Sequence, residues 1–321
     1  MMPSIVLTGE VEDMTYEELA VQWHTCDRIP CHTSGSTGKP KEIFLTKTEM
    51  LNSAQRTVEY FGINEKDLLY SCISPDYIGG KMMFVRQQYV GCEFQWEEPT
   101  NRPLEKYEGK AISLLSVVPS QMIYILDNLA TMPEIRNILV GGSAIPASLR
   151  KRISDSGVNA FESYGMTETS SHIALRKIGI SPAPFRTLGN ITVEEDNGAL
   201  RIHMPDGQTI LTNDAAEIIS PTEFHIHGRL DNMIISGGKK INPEIVEEKL
   251  SAKLDFPYFI TSLPDEKWGE RLVIVAQTDN NNIGFIREAC NSIEDGFLRP
   301  KQIIIKEKLY LTQNGKIIRK I

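Results

Sequence analysis

The sequence predicts an α/β fold: a helix-covered, mostly parallel sheet plus a small β-barrel-like subdomain, followed by a smaller α+β C-terminal domain. Three observations predict it. Short apolar runs alternate with amphipathic ones between about residues 43 and 165. After about residue 185 closely spaced short strands take over, and from Gly228 strands and helices mix again. Strand–helix alternation with short connections is the signature of a parallel sheet packed under helices, whereas closely spaced strands with turn residues between them signal antiparallel pairing.

The elements follow in order. Leu68–Ile73 reads as a buried strand, Gly79–Val90 as a helix and Cys92–Trp96 as a strand. Ile112–Val118 is strand-like, and Pro119-Ser120 opens a helix through Leu129, with proline suited to a first helical turn. Ile138–Val140 leads into Gly141-Gly142, then a helix from about Pro146 to Ser156 and a strand over Asn159–Ser163. Asn197-Gly198, between Glu194 and Leu200, is a hairpin signal, because two-residue hairpin turns need left-handed backbone that Asn and Gly tolerate. Strands are expected at Ile218-Ile219 and Phe224–His227, making a small antiparallel sheet or distorted barrel. A helix from Asn242-Pro243-Glu244 to Leu250, strands at Tyr258–Ser262 and Leu272–Gln277, a helix near Ile283–Ser292 and a strand at Gln302–Lys306 complete the chain. The expected domains are 1–228 and 229–321.

Composition bounds the function. The 321 residues carry 34 Lys+Arg against 42 Asp+Glu, a net charge of −8, which argues against general affinity for nucleic acid or anionic membrane. The most apolar stretch, Ala111–Leu126, is broken by Ser116, Pro119, Ser120 and Gln121, so no membrane insertion is expected. Five cysteines without a CxxC pair suggest neither a disulfide framework nor a zinc knuckle, and a reduced cytoplasm is the expected location. His225 and His227 could share a strand face but have no third partner, so no metal site is read from them.

The densest chemical feature is Thr33-Ser34-Gly35-Ser36-Thr37-Gly38-Lys39-Pro40-Lys41. Glycines let backbone N–H groups converge, hydroxyls donate and lysines supply charge, which together suit a polyphosphate. It is not a Walker A loop, since Thr33 stands where that motif needs glycine and Pro40 where it needs Ser or Thr.

The order of this loop resembles the phosphate loop of the adenylate-forming superfamily, which includes acyl- and aryl-CoA synthetases, luciferases and peptide-synthetase adenylation domains. The family's other motifs follow in order: Tyr164-Gly165-Met166-Thr167-Glu168-Thr169, Thr212-Asn213-Asp214, Gly228-Arg229-Leu230-Asp231 through Ile234, Gly237-Gly238, Ile241-Asn242-Pro243-Glu244 and Thr312-Gln313-Asn314-Gly315-Lys316-Ile317-Ile318-Arg319. Asn213 departs from the usual glycine, and no proline lies shortly before Thr312.

The resemblance implies an enzyme that joins a carboxylate to ATP, giving an acyl-adenylate and pyrophosphate, and then transfers the acyl group to CoA. It implies ATP, Mg²⁺ and CoA as co-substrates and cofactor, with a small carboxylic acid as substrate. It places Thr33, Ser34, Gly35, Ser36, Thr37, Gly38 and Lys39 on the β- and γ-phosphates, Thr167 on a phosphate oxygen and Glu168 on the metal. Gly142, Ser143, Ser163, Tyr164 and Gly165 would shape the adenine slot, with the Tyr164 ring free to stack on a base. Asp214 would take the ribose hydroxyls with Arg229 nearby. Lys316 would bridge the acyl carboxylate and the α-phosphate in the adenylation transition state. Asp231 would be the hinge about which the C-terminal lid rotates between half-reactions, and Gly237 and Gly238 would line the path of the CoA thiol.

The acyl pocket is expected from Asp76–Lys81 and from the residues after the second signature, with Lys81, Ser171, His172 and Arg176 as its polar groups. Lys81, His172 or Arg176 could hold a second substrate carboxylate; the alternative for each is a solvated charge. Among family members, a short chain with this pocket is most similar to the 2-succinylbenzoate–CoA ligases of menaquinone synthesis. Other aryl- or acyl-CoA ligases, enzymes that load a carrier-protein thiol, and a non-catalytic nucleotide-binding relic are the alternatives. Thr33 begins the phosphate loop where family members carry well over a hundred preceding residues, so most of an N-terminal subdomain is expected to be missing. The oligomeric state, monomer or homodimer, is open in the sequence.

Overall fold

The computed structural model describes residues 14–32, 41–179, 183–251, 253–310, 317–319 and 321. Its contacts divide the chain into two compact units: residues 1–117, 133–136 and 165–171 form the first, and 118–132, 137–164 and 172–321 the second.

In the first unit, α1 (Tyr16–Thr25) and α2 (Lys47–Phe61) each start with a reciprocal cap. Thr15 and Thr46 accept from the backbone of Glu18 and Glu49, whose side chains reach back to the cap N–H groups; such boxes satisfy donors that the first helical turn leaves unpaired. Gly62, at φ +63°, ends α2 in the left-handed conformation that glycine adopts without strain. Between the helices, β1 (Arg28–His32) and β2 (Glu42–Thr46) pair antiparallel. A parallel set follows: β3 (Leu68–Ser71) runs between β4 (Glu93–Trp96) and β5 (Leu114–Val117). All four β3 residues are buried, as expected of a parallel strand covered on both faces.

Helix α3 (Ile78–Val90) connects β3 to β4. Gly80 lies so close to the carbonyls of Ile73 and Ser74 that any side chain would collide with backbone. The core joins Tyr16, Leu19 and Trp23 to Ile29, Met50, Met82, Phe84 and Val85. The Tyr16 hydroxyl reaches Ser71 Oγ at 2.7 Å and the Ile73 carbonyl at 2.8 Å, so this buried phenol is satisfied.

The second unit opens with α4 (Pro119–Asp127), β6 (Ile138–Val140), α5 (Ala147–Ser156) and β7 (Ala160–Met166), with β6 and β7 parallel. Five further strands follow: β8 (Ser171–Lys177), β9 (Phe185–Thr187), β10 (Thr192–Asp196), β11 (Ala199–His203) and β12 (Thr209–Ser220). With β13 (Glu223–Arg229) they pair antiparallel in the order β10-β11-β12-β13-β9-β8. The β10–β11 hairpin turns on Asn197 and Gly198, at φ +53° and +85°, the primed turn expected of Asn-Gly. Ile173, Phe185, Val193, Leu200, Ile202 and Phe224 pack beneath this sheet.

The C-terminal part of the unit holds β14 (Ile234–Ser236), β15 (Lys239–Ile241), α6 (Pro243–Ser251), β16 (Tyr258–Asp265), β17 (Gly269–Gln277), α7 (Ile283–Asn291) and β18 (Gln302–Lys306). β16 pairs antiparallel and β18 parallel with β17. Val246, Leu250, Ile260, Leu272, Ile274, Ile286 and Ala289 join α6 and α7 to one face of this sheet. The other face carries Phe259, Val273, Val275, Leu309 and Ile317. The position 228/229, at which a boundary is expected, falls within the second unit. All five cysteines are free, and among the described residues no helix is long and apolar enough to cross a membrane.

Candidate active site

In the first unit, His32 and Glu42 are the last partners of the β1–β2 pair. Thr33, Ser34, Gly35, Ser36, Thr37, Gly38 and Lys39 connect them and lie outside the described residues. The hydroxyl of Thr167 donates to the His32 carbonyl at 3.4 Å, so the second signature touches the strand that leads into this segment. Thr167–Thr169 form a 3₁₀ turn in which Thr167 and Thr169 are buried and Glu168 is exposed.

The backbone then passes through two non-glycine residues of positive φ, Ser170 at +53° and Ser171 at +90°. Such conformations cost on the order of 1–3 kcal/mol each and persist only where the surroundings hold them. Here the fully buried Ser53 on α2 donates to the Ser170 carbonyl at 2.7 Å, and the Thr169 hydroxyl lies 2.6 Å from the Ser171 carbonyl. Glu168 is thus an exposed carboxylate on a rigid turn. Among the described residues no cluster of three or more His, Cys, Asp or Glu side chains could hold a metal. A lone exposed carboxylate fits Mg²⁺, which commonly takes one or two protein oxygens and completes its shell with water and substrate phosphates.

Lys81 is not a solvated charge. It is 1 % exposed on α3, and Nζ lies 3.1 Å from Met14 Sδ, with Asp76 and Cys31 as its electrostatic neighbours. Burial lowers its pKa, and those two neighbours oppose the shift. Ser171, in the same unit, is buried.

In the second unit the structure brings Tyr164, Asp214, Arg229 and Asp231 together. Asp214 on β12 and Arg229 on β13 are cross-strand partners. The Tyr164 hydroxyl donates to Asp214 Oδ2 at 2.6 Å, and Arg229 Nη1 lies 3.7 Å from Asp214 Oδ1. Arg229 grips Asp231 with both arms, Nε to Oδ1 at 2.8 Å and Nη2 to Oδ2 at 2.7 Å. That fork holds the Asp231 carboxyl below the usual carboxylate range, with Asn213 adding a hydrogen bond. Burial and the adjacent Asp214 carboxylate push the Tyr164 phenol well above its ordinary value, so it stays a donor. Its ring meets Phe224 edge-on, with centroids 5.3 Å apart, and tilts against Phe185. Tyr164 therefore anchors Asp214 in addition to any stacking face it presents.

Ser163 donates to the Val140 carbonyl at 3.2 Å, and a side chain on Gly141 would strike Ser163 Oγ. Gly142 has φ +90° and is exposed, like Gly165 in the first unit; Ser143 beside it is half-buried. His172 is buried. Arg176 is engaged internally: Nε donates to Glu162 at 2.8 Å, and the guanidinium sits 4.1 Å over the Phe185 ring. Arg150 takes the same Glu162 oxygen at 2.9 Å. Lys81 and Arg176 belong to different units, and neither is the solvated charge that the sequence left as an alternative.

Gly237 and Gly238, at φ +58° and +77°, form the two-residue turn between Ser236 and Lys239, a geometry glycine pairs favour. A side chain on Gly237 would collide with the Trp268 ring. Trp268 meets Phe297 edge-on at 6.3 Å, and Lys239 Nζ sits 3.7 Å over Phe297. Both rings are more than one third exposed. This aromatic and cationic surface beside the turn was not read from the sequence, because Trp268 and Phe297 lie about 30 and 60 residues from it. Lys316 lies outside the described residues.

Comparison with known proteins follows the same lines. The AMP-binding enzyme family matches residues 29–221. A 2-succinylbenzoate–CoA ligase of Enterococcus faecalis is 26% identical over 89% of this chain and 67% of its own length. The chain thus spans about two thirds of that relative. The crystal structure of an acyl-CoA synthetase (AMP-forming)/AMP-acid ligase II-like protein from Dyadobacter fermentans is 30% identical, with TM-score 0.62 over 95% of this chain and 91% of that one. o-Succinylbenzoate coenzyme A synthetase from Bacillus subtilis, in complex with AMP, is 22% identical, with TM-score 0.77 over 90% and 67%.

Proposed function

For a chain that belongs to the AMP-binding enzyme family, we propose AMP-forming acid–CoA ligation, with 2-succinylbenzoate as the acid. A carboxylate oxygen attacks the α-phosphorus of ATP as the bond to pyrophosphate breaks, giving the acyl-adenylate. The CoA thiolate then attacks the acyl carbon and the bond to AMP breaks. The first step brings two anions together, so charge neutralisation and positioning dominate its barrier.

The observation that carries the reading is the Tyr164–Asp214–Arg229 arrangement. Asp214 is an acceptor held by a phenol and flanked by a guanidinium, which suits the paired hydroxyls of a ribose. Thr167 would orient a phosphate oxygen, and the 33–39 segment would surround the remaining phosphates. Mg²⁺, held by Glu168, would supply neutralisation of the polyphosphate charge. Asp231, locked to Arg229, would act as the hinge of a lid formed by residues 229–321. The Gly237-Gly238 turn and the Trp268–Phe297 surface would receive the pantetheine arm and the flat base of CoA. The 2-succinylbenzoate assignment is supported by the relative from Enterococcus faecalis.

Mass-spectrometric detection of CoA thioesters across a panel of carboxylic acids tests the substrate. A thioester with 2-succinylbenzoate is expected. Good yield with another acid and none with this one would end that assignment, and thioester formation only on a carrier protein would replace CoA as acceptor.

A further inference from the structure

Strand β13 runs into the segment proposed as the hinge, and a side chain from beyond that hinge is clipped to it. Asn242 stands immediately before α6 and is 6 % exposed. The two ends of its amide have different partners. Oδ1 accepts the Glu244 N–H at 2.9 Å, which caps the first turn of α6, and Nδ2 donates to the His227 carbonyl on β13. One side chain therefore joins a residue before Asp231 to a helix that starts after it.

Gly228 makes this approach possible. It has φ +116°, and a Cβ there would lie 2.7 Å from Asn242 Nδ2 and 2.8 Å from Glu244 Oε2. Any other residue would push both side chains away from the strand. Just past Asp231, Asn232 donates its side-chain amide to Glu244 Oε1 at 2.7 Å. The first turn of α6 thus holds the chain on both sides of the hinge residue. The hold is not tight. Glu244 Oε2 is buried over Gly228 with no hydrogen-bond partner among the described residues, and a stranded acceptor raises the energy of the held state.

We propose that Asn242 is a hinge latch: its bond to the His227 carbonyl holds residues 229–321 in one of the two orientations that the half-reactions use, and it breaks when the lid turns. The inference rests on lid rotation about Asp231, as proposed above. One net hydrogen bond shifts an equilibrium by about fivefold, which biases two orientations without freezing either.

The test compares the full-length chain with Asn242→Asp and Asn242→Ser. Asp and Ser cap a helix about as well as Asn, but Asp has no N–H to give and Ser is too short to reach His227. Acid-dependent ATP–pyrophosphate exchange reports adenylation, and thioester formation from supplied acyl-adenylate reports the second step. The acid is 2-succinylbenzoate or whichever panel acid forms a thioester. Both variants should move the two steps in opposite directions and change their ratio by about fivefold, because one orientation gains the population that the other loses. With no substrate present, trypsin should cut after Arg229 about fivefold faster than in the wild-type chain, since native-state cleavage tracks the population of the opened segment. Fragment masses identify that cut. Gly228→Ala, which displaces the latch from the strand side, should match the other variants in both readouts. Two steps that fall together, an unchanged ratio between them, or cleavage at the wild-type rate would overturn the latch. If no acid supports exchange, the ligase reading fails by itself, and the cleavage rates still decide whether Asn242 restrains the hinge.

Discussion

Lys316→Ala is expected to lower adenylation by about 10³-fold while leaving thioester formation from supplied acyl-adenylate largely intact. One ammonium aimed at oxygens that gain charge in the transition state is worth on the order of 10²–10³ in rate where water is excluded, and in the proposed role Lys316 would serve a carboxylate and a phosphate together. The second half-reaction breaks a bond to AMP under attack by a thiolate and needs no cation at the former α-phosphate. The split between the two steps is therefore the diagnostic. Rapid-quench measurement of each half-reaction checks it, and loss of equal size in both steps would remove Lys316 from the adenylation transition state.

Asp214→Ala is expected to reduce kcat/KM for ATP by roughly 10–100-fold, mostly through KM. A hydrogen bond to a charged acceptor contributes about 1.5–3 kcal/mol, which corresponds to that range. The substitution also removes one of two side-chain partners of the Tyr164 hydroxyl, Thr212 being the other, and one flank of Arg229. Tyr164→Phe removes only the anchor and keeps the carboxylate, so its effect should be several-fold smaller. Initial rates at varied ATP compare the three proteins. Unchanged ATP dependence in Asp214→Ala would show that this carboxylate does not meet the nucleotide.

Much of the fold was legible in local pattern. Pro119 at a helix start, Asn197-Gly198 at a hairpin and the apolar runs at 68–71 and 138–140 each state their conformation within a few residues. The first unit was less legible. Helices α1 and α2 begin at capping boxes that the sequence displays as Thr15-x-x-Glu18 and Thr46-x-x-Glu49, yet neither was read, because the apolar rhythm that follows them is mixed with polar residues. The pair Glu247–Arg319 is separated by 72 residues and Ser53–Ser170 by 117, so no local rule could join them.

The site divides in the same way. Asp214, Arg229 and Asp231 stand out by motif order, and the structure supplies what order cannot, namely that Tyr164 holds Asp214 through its hydroxyl and that Arg229 is shared between two carboxylates. The polar groups assigned to the acyl pocket were read by residue type alone. A lysine and an arginine in a sequence look solvent-seeking, whereas Lys81 is enclosed near Asp76 and Arg176 is paired with Glu162. Burial of long charged side chains depends on partners far along the chain, and composition does not encode it.

The most direct test of the account is ATP–pyrophosphate exchange in the complete absence of CoA, with 2-succinylbenzoate and Mg²⁺ supplied. An acid-dependent adenylation predicts exchange that requires the acid and the metal and does not require CoA. No exchange with any acid of the panel, from a protein that still binds ATP, would contradict it and leave a nucleotide-binding protein without ligase chemistry.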